Sequence, residues 1–257
     1  MSASYMKEVN IDGIHFKNEM RWIWVAPVSV FVAYILFYLF LQVKAAALQF
    51  ALGIAFFSAA FLFLANVGSN ISKIIKSHSK AAKKQRGAKG DFRLEMAHQM
   101  LKLAYLGKLC AFPVSAALFF CLLESREIAD IVSSFPSIYF LNPVSWPIML
   151  AGRIIQTFPT TELSAGLTSF QLLLLPIILP ASLFNLSAQI HLAMVSRLKW
   201  RWLIFSLPFL SFPGSDLAFC LTAGLSARGI KVHMIASSAA GAAAAAGVCL
   251  LYYLMAL

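Results

Sequence analysis

Long stretches without a charged residue constrain this chain more than any other feature. Residues 22–43, 45–71 and 164–196 contain no Asp, Glu, Lys or Arg, and shorter uncharged runs follow at 109–123, 202–215 and 233–257. A helix needs about 20 apolar residues to cross the hydrocarbon layer of a membrane. With 60% hydrophobic and 12% charged residues, the composition lies far from soluble usage. The sequence therefore predicts an all-α, polytopic helical membrane protein with one embedded domain, residues 1–257.

The distribution of positive charge predicts the orientation of the spans. Residues 73–108 hold ten Lys and Arg against two acids, Asp91 and Glu95, and short loops rich in Lys and Arg remain on the cytoplasmic side. We therefore expect a basic cytoplasmic loop at 73–104, a cytoplasmic tail at 1–21 and an outer, non-cytoplasmic segment at 124–165. Trp22, Trp24, Trp200 and Trp202 are expected to form an aromatic belt at the inner interface.

Residues 202–227 allow two topologies. As a full span, they would make six spans and place Arg228 and Lys231 outside. As a re-entrant hairpin broken at 212–216, they would make five full spans plus the hairpin. Each arm of about 11 residues rises about 16 Å, which reaches mid-membrane and returns. The charge rule favours the hairpin, because both basic ends then lie inside.

Small residues mark the surfaces that are expected to pack closely. Ala47, Ala51, Ala55 and Ala59 recur at steps of four, and residues 237–247 are all small, with Gly241 and Gly247 among them. Small residues let helix backbones approach each other in lipid. These positions are predicted to pack within the chain or against partner subunits.

Polar residues within the apolar runs are the candidates for a solute path. Asp216 is the one carboxylate in such a run, and Ser182, Asn185 and Gln189 share one helical face, with His191 near its end. An ionisable group at membrane depth suggests function. The structural alternatives are an N-cap for Asp216, interhelical hydrogen bonds for the amides and a satisfied core histidine for His191. His78 lies among basic residues and is expected to be solvated.

The basic loop has three candidate partners. Its predicted docking residues are Lys80, Lys83, Lys84, Arg86, Lys89 and Arg93. A polybasic segment beside a membrane attracts anionic lipid at about 1 kcal/mol per Lys or Arg, and an acidic protein face would also fit. Nucleic acid fits poorly, because aromatic residues are scarce in the segment. After the loop, Leu94, Ala97, Leu101 and Ala104 predict an amphipathic helix on the inner membrane surface.

No motif for catalysis or cofactor binding is present. The sequence lacks H-E-x-x-H, the phosphate-binding G-x-x-x-x-G-K-[ST] and G-x-S-x-G, and its four cysteines have no metal-ligand spacing. No catalytic, metal or cofactor site is predicted. We expect a non-catalytic subunit or scaffold of a secretion, translocation or transport complex in the plasma (inner) membrane. A solute or ion permease using a broken helix at 212–216 is the alternative, and an intramembrane enzyme is third.

Overall fold

The computed structural model describes residues 10–11, 14–15, 23–83, 86–124, 160–207 and 215–230, with residues 240, 243 and 247. Only the backbone is described at 10–11, 14–15, 86–91, 116, 119–124, 160–173, 205 and 215–216. The helices are α1 (Val25–Gln42), α2 (Ala46–Lys83), α3 (Arg86–Glu124), α4 (Thr160–Met194), α5 (Trp200–Ser206) and α6 (Ser215–Ala227). The fold described is thus helical, as predicted, apart from one short β pairing.

That pairing lies in the N-terminal tail. Strand β1 (Asn10–Ile11) pairs antiparallel with β2 (Ile14–His15), with Asn10 opposite His15. Asp12 and Gly13 stand between them in the sequence, and Asp-Gly is a pair that tight two-residue hairpin turns favour.

Three of the described helices are long and apolar enough to cross a membrane. These candidate spans are Val25–Gln42, Ala46–Lys83 and Leu174–Met194. The uncharged run at 109–123 forms the second half of α3, which continues through Pro113. Of the run at 202–215, residues 202–206 belong to α5 and residue 215 is the first of α6, while residues 208–214 lie outside the described residues. The final run at 233–257 lies outside the described residues except at three positions.

The predicted basic loop is largely helical. Helix α2 continues through Ser77 to Lys83, and α3 begins at Arg86. At 38 and 39 residues, each helix is about 57 Å long, nearly twice the thickness of the hydrocarbon layer. Both helices must therefore extend beyond that layer if they cross it.

The segment expected to lie on the membrane surface is part of the core. Ala97, Leu101 and Ala104 are buried, but so are Met96 and Met100 on the neighbouring faces of α3. They pack with Phe184 of α4, with Trp202 and Phe219, and with Ala227 of α6. A helix buried on several faces cannot lie on a membrane surface. Trp202 is likewise buried, so it cannot belong to the aromatic belt that was predicted at the membrane interface. Trp24 and Trp200 are exposed, as such a belt requires.

A second, smaller core lies farther along the bundle. Val30 of α1 packs there with Ala111 and Leu118 of α3 and with Leu174 and Ile177 of α4. Between the two cores, Gly107 of α3 faces α4 so closely that an added Cβ would lie 2.9 Å from Ala181 Cβ. Ile23, just before α1, would be 3.3 Å from the same Cβ. The start of α1 is therefore level with Gly107 and Ala181.

Candidate functional site

Polar side chains from three helices meet in the interior of the first core. Ser77 and His78 come from α2, Arg93 and Met100 from α3, and Ser187 and His191 from α4. We call these six residues the inner polar cluster. His191 lies ten residues beyond Ala181 on α4, about 15 Å along the helix axis. The cluster thus lies well beyond the level at which α1 begins.

His191 is fully buried and both of its ring nitrogens have partners. Ser77 donates its hydroxyl proton to the Ile74 carbonyl oxygen over 2.8 Å. Its oxygen is therefore free to accept from His191 Nε2–H, at 3.2 Å. Arg93 Nη1 lies 3.3 Å from His191 Nδ1 and, as guanidinium is a donor only, donates to it. An accepting Nδ1 and a donating Nε2 define a neutral imidazole.

His78 stacks on His191 and is half-buried, whereas the sequence suggested a solvated side chain. The two rings are 4.0 Å apart and nearly parallel, at 4°. Ser187 donates its proton to Met100 Sδ over 2.8 Å, so that its oxygen accepts from His78 Nε2–H at 3.0 Å. Each histidine thus joins α2 to α4 through a serine, and Met100 and Arg93 join both to α3.

Arg93 brings a permanent positive charge into this cluster. Its side chain is 5% exposed, so it cannot belong to an exposed docking surface with the loop lysines. Burial lowers the pKa of its guanidinium, but the ordinary value is so high that the group stays protonated at neutral pH. Its donor to His191 gives a charge-assisted hydrogen bond, which is stronger than a neutral one.

The Ser77 and His191 pair does not have the geometry of a catalytic dyad. A serine nucleophile gives its proton to the histidine, and a carboxylate on the far nitrogen stabilises the imidazolium that forms. Here the Ser77 proton points to a backbone carbonyl, and Arg93 occupies the place of the carboxylate. A cation there opposes imidazolium formation. Among the described residues, no group of three His, Cys, Asp or Glu could hold a metal ion.

The predicted polar face of α4 is buried throughout. Ser182, Asn185 and Gln189 are all buried, and Gln189 Nε2 donates to Asn185 Oδ1 over 3.4 Å. Ser206 of α5 donates to Gln189 Oε1 over 2.8 Å. Within the described part of the chain, Asn185 Nδ2 is buried without an acceptor. Hydrogen bonds therefore connect Asn185, Gln189 and Ser206, and the Asn185 Nδ2 donor is not used in them.

Two contacts bring α5 and the residues before it close to α6. An added Cβ on Gly229, just after α6, would lie 3.0 Å from Arg197 Nη1, which precedes α5. Between these ends, the Trp202 and Phe219 rings pack edge to face at 5.3 Å. Trp202 Nε1 is a buried donor without a partner in the described residues. The Arg197 side chain therefore reaches Gly229.

The remaining predicted site residues are scattered. Ala47 and Ala51 are exposed, Ala55 is half-buried and Ala59 is buried; Gly247 is helical and exposed. Lys80 is half-buried and Lys83 exposed. Asp216 lies in the first turn of α6, and Arg86 and Lys89 in the first turn of α3, with their side chains outside the described atoms. Lys84 and Gly241 lie outside the described residues.

The sequence singled out His191 but missed its partners. Ser187 and His191 are four residues apart on one helix, which is a usable signal for a shared polar face. No comparable signal identifies Ser77, His78 or Arg93, because their approach depends on how far α2 and α3 are offset along the α4 axis. Packing between the helices sets that offset, and no local sequence pattern predicts it.

Comparison with known proteins adds no assignment: no protein-family model, no curated protein and no solved structure matches this chain. The class is therefore defined by the fold alone. It is a helical protein in which three described helices are long and apolar enough to cross a membrane, and in which a polar cluster joins α2, α3 and α4.

Proposed function

We propose that this protein is a non-catalytic, multi-pass membrane subunit or scaffold of a larger assembly, such as a secretion, translocation or transport complex. One observation carries the proposal: burial is highly uneven. In the most apolar part of α4, 72% is buried within the chain, against 11% in α2. The interior hydrogen bonds join the helices to one another, whereas the open apolar surface faces outward. We therefore place the surface that binds other membrane proteins on the outward-facing apolar side of the helices.

The proposed topology has five full spans plus the hairpin, with the N-terminus inside the plasma (inner) membrane. The proximity of Arg197 and Gly229 supports the hairpin, because a full span of 202–227 would separate its ends by about 39 Å. The inner polar cluster then lies toward the cytoplasmic side, beyond the level of Ile23. A reporter fused after Leu257 tests this: activity on the outer side is expected, and activity on the cytoplasmic side would contradict it.

The lysine-rich end of α2 is the proposed contact with anionic lipid or an acidic partner. Lys76 and Lys83 are exposed, and each exposed lysine near an anionic surface contributes about 1 kcal/mol. Arg93 is excluded from this role by its burial.

Purification from membranes in a mild detergent tests the subunit proposal. We expect stoichiometric co-purification of other membrane proteins with the full chain. A variant with Lys76 and Lys83 changed to Gln tests cytoplasmic docking, and Lys44→Gln, at the opposite end of α2, is the matched control. Isolation of a lone, monodisperse species that conducts solute in liposomes would contradict the proposal.

A permease is the second candidate, favoured by the buried Asn185 amide nitrogen, which has no acceptor among the described residues. A buried donor without an acceptor costs about 1 to 3 kcal/mol, and a bound solute or water would satisfy it. The test is uptake into liposomes by the natural chain, by Asn185→Leu and by Asp216→Asn. Loss of uptake in both variants with retained fold supports a path, whereas the absence of uptake by the natural chain excludes one.

A further inference from the structure

The face of α2 that points away from the bundle carries a continuous apolar stripe. Its members recur three and four residues apart from Ala47 to Ile75, and we call it the outer stripe. The large members in its first half are Phe50, Ile54, Phe57, Phe61 and Leu64, which are 55% to 73% exposed. Alternation of three and four residues is the repeat of a coiled-coil seam. The stripe covers four such repeats of seven on one helix.

The stripe continues into the more polar half of α2. Asn66, Ser69, Asn70 and Lys73 introduce polar residues into α2, and the helix is about twice as long as the hydrocarbon layer is thick. Yet Ile71 and Ile75 continue the stripe in this polar part and are 41% and 62% exposed. Hydrocarbon tails account for an exposed Phe57 but not for an exposed Ile75 beside two lysines.

Charge is excluded from the flanks of the stripe. In the heptad register that places Ala47 at a, the four lysines of α2 at positions 73, 76, 80 and 83 all fall at b or f. The e positions are Ala or Ser, and the g positions are Gly, Ala, Val or Ile. Since e and g residues face the partner helix in a parallel pair, two copies of this surface would meet without repulsion between like charges.

We propose that the outer stripe binds the outer stripe of a second copy, forming a parallel dimer about a two-fold axis along the membrane normal. This dimer rests on the proposed function as a membrane subunit, and it identifies a second copy of the chain as one of the subunit's partners. Such an axis holds both copies at the same depth and places identical residues opposite each other. Gly68 lies on the stripe with nothing within 4 Å of an added Cβ, which allows close backbone approach.

Cysteine cross-linking in native membranes tests the dimer. Ile75→Cys lies on the stripe and Lys76→Cys, one residue later, lies off it; both sites are exposed and close to water. Under mild oxidation, Ile75→Cys is expected to double its apparent mass from 28.2 kDa. Lys76→Cys and the natural chain are expected to stay at that mass, because a disulfide requires Cβ atoms about 4 Å apart.

A second pair within the lipid, Leu64→Cys and Leu62→Cys, repeats the comparison with side chains of equal size and similar exposure, 63% and 55%. Cross-linking of the Leu64→Cys variant without cross-linking of the Leu62→Cys variant supports the dimer. Cross-linking of stripe cysteines to a different protein would overturn it while leaving the subunit proposal standing. Equal cross-linking on and off the stripe would indicate random collision and overturn it, and the absence of any cross-link together with a lone purified species would overturn both.

Discussion

Helices α2 and α4 are similar in length, at 38 and 35 residues, yet the bundle buries the apolar part of α4 and leaves that of α2 open. Helix α4 presents Ser182, Asn185, Gln189 and His191 to its neighbours, whereas the outward face of α2 is apolar. Between helices in lipid there is no hydrophobic driving force, and close packing and polar contacts decide which surfaces associate. Helix α4 thus combines the greater burial with a row of polar residues that face its neighbours.

The largest expected difference between α2 and α4 is in the unfolding free energy that is lost when a phenylalanine is changed to alanine. Phe184 of α4 is fully buried and Phe57 of α2 is 71% exposed. Phe184→Ala should therefore destabilise the fold by about 3 to 5 kcal/mol, and Phe57→Ala by less than about 0.5. The measurement is the free energy of unfolding of monomers in detergent micelles, followed by helical circular dichroism. Similar losses in the two variants would show that α2 is packed in the monomer after all.

A smaller effect is expected from adding a methyl group to a glycine. Gly107→Ala would place its Cβ 2.9 Å from Ala181 Cβ and 3.5 Å from Ala181 Cα, which forces α3 and α4 apart at a cost of about 2 to 3 kcal/mol. Gly68→Ala on α2 has open space and should gain up to about 1 kcal/mol from helix propensity. The same unfolding measurement should thus give opposite signs, and a shared sign would contradict the close contact between α3 and α4.

The inner polar cluster offers a matched pair of serines on α2. Both Ser77 and Ser58 donate to a backbone carbonyl of the preceding turn at 2.8 Å, but only Ser77 also accepts from His191. Ser77→Ala leaves the buried His191 Nε2–H unsatisfied and should cost about 1 to 2 kcal/mol. Ser58→Ala should change stability by less than about 0.5 kcal/mol. Chemical denaturation of both variants checks this, and Ser77→Thr, which keeps the hydroxyl, should recover part of the loss.

How far the sequence predicts the fold depends on what each feature requires. The uncharged runs predicted helices, because any backbone in hydrocarbon must satisfy its own hydrogen bonds. They did predict a helix across Pro113, but they did not predict that α2 continues to Lys83, since lysines weaken the apolar signal of a span. The burial of Met96 and Met100 depends on α4 and α6, which are distant in sequence.

The candidate site was less predictable for the same reason. Asn185 and Gln189 could be grouped because they share a helix face. His78 looked like a solvated residue among lysines, and Arg93 like one of several docking cations. Their burial is a consequence of the axial offset between α2, α3 and α4, which places Ser77 and Arg93 beside His191. Such offsets follow from packing at positions such as Gly107, and no sequence pattern of a single helix encodes them.

The smallest expected effects concern the two turns that end α4 and α6, at Ser196 and Gly229. Helix α4 ends with Arg197 N donating to Leu192 O, with Ser196 at a φ of 59°. Helix α6 ends in the same way with Ile230 N donating to Leu225 O, with Gly229 at a φ of 82°. Both are Schellman ends, in which the residue of positive φ is ordinarily glycine.

A side chain in this conformation costs about 1 kcal/mol. Ser196→Gly should therefore stabilise the protein by about that amount, and Gly229→Ala should destabilise it similarly, since Arg197 Nη1 can move aside from the new methyl group. Thermal unfolding of the two single variants and the double variant measures this. Because the Arg197 side chain reaches Gly229, a double variant that departs from the sum of the single effects would indicate coupling between the two turns. The absence of both single effects would contradict the Schellman ends.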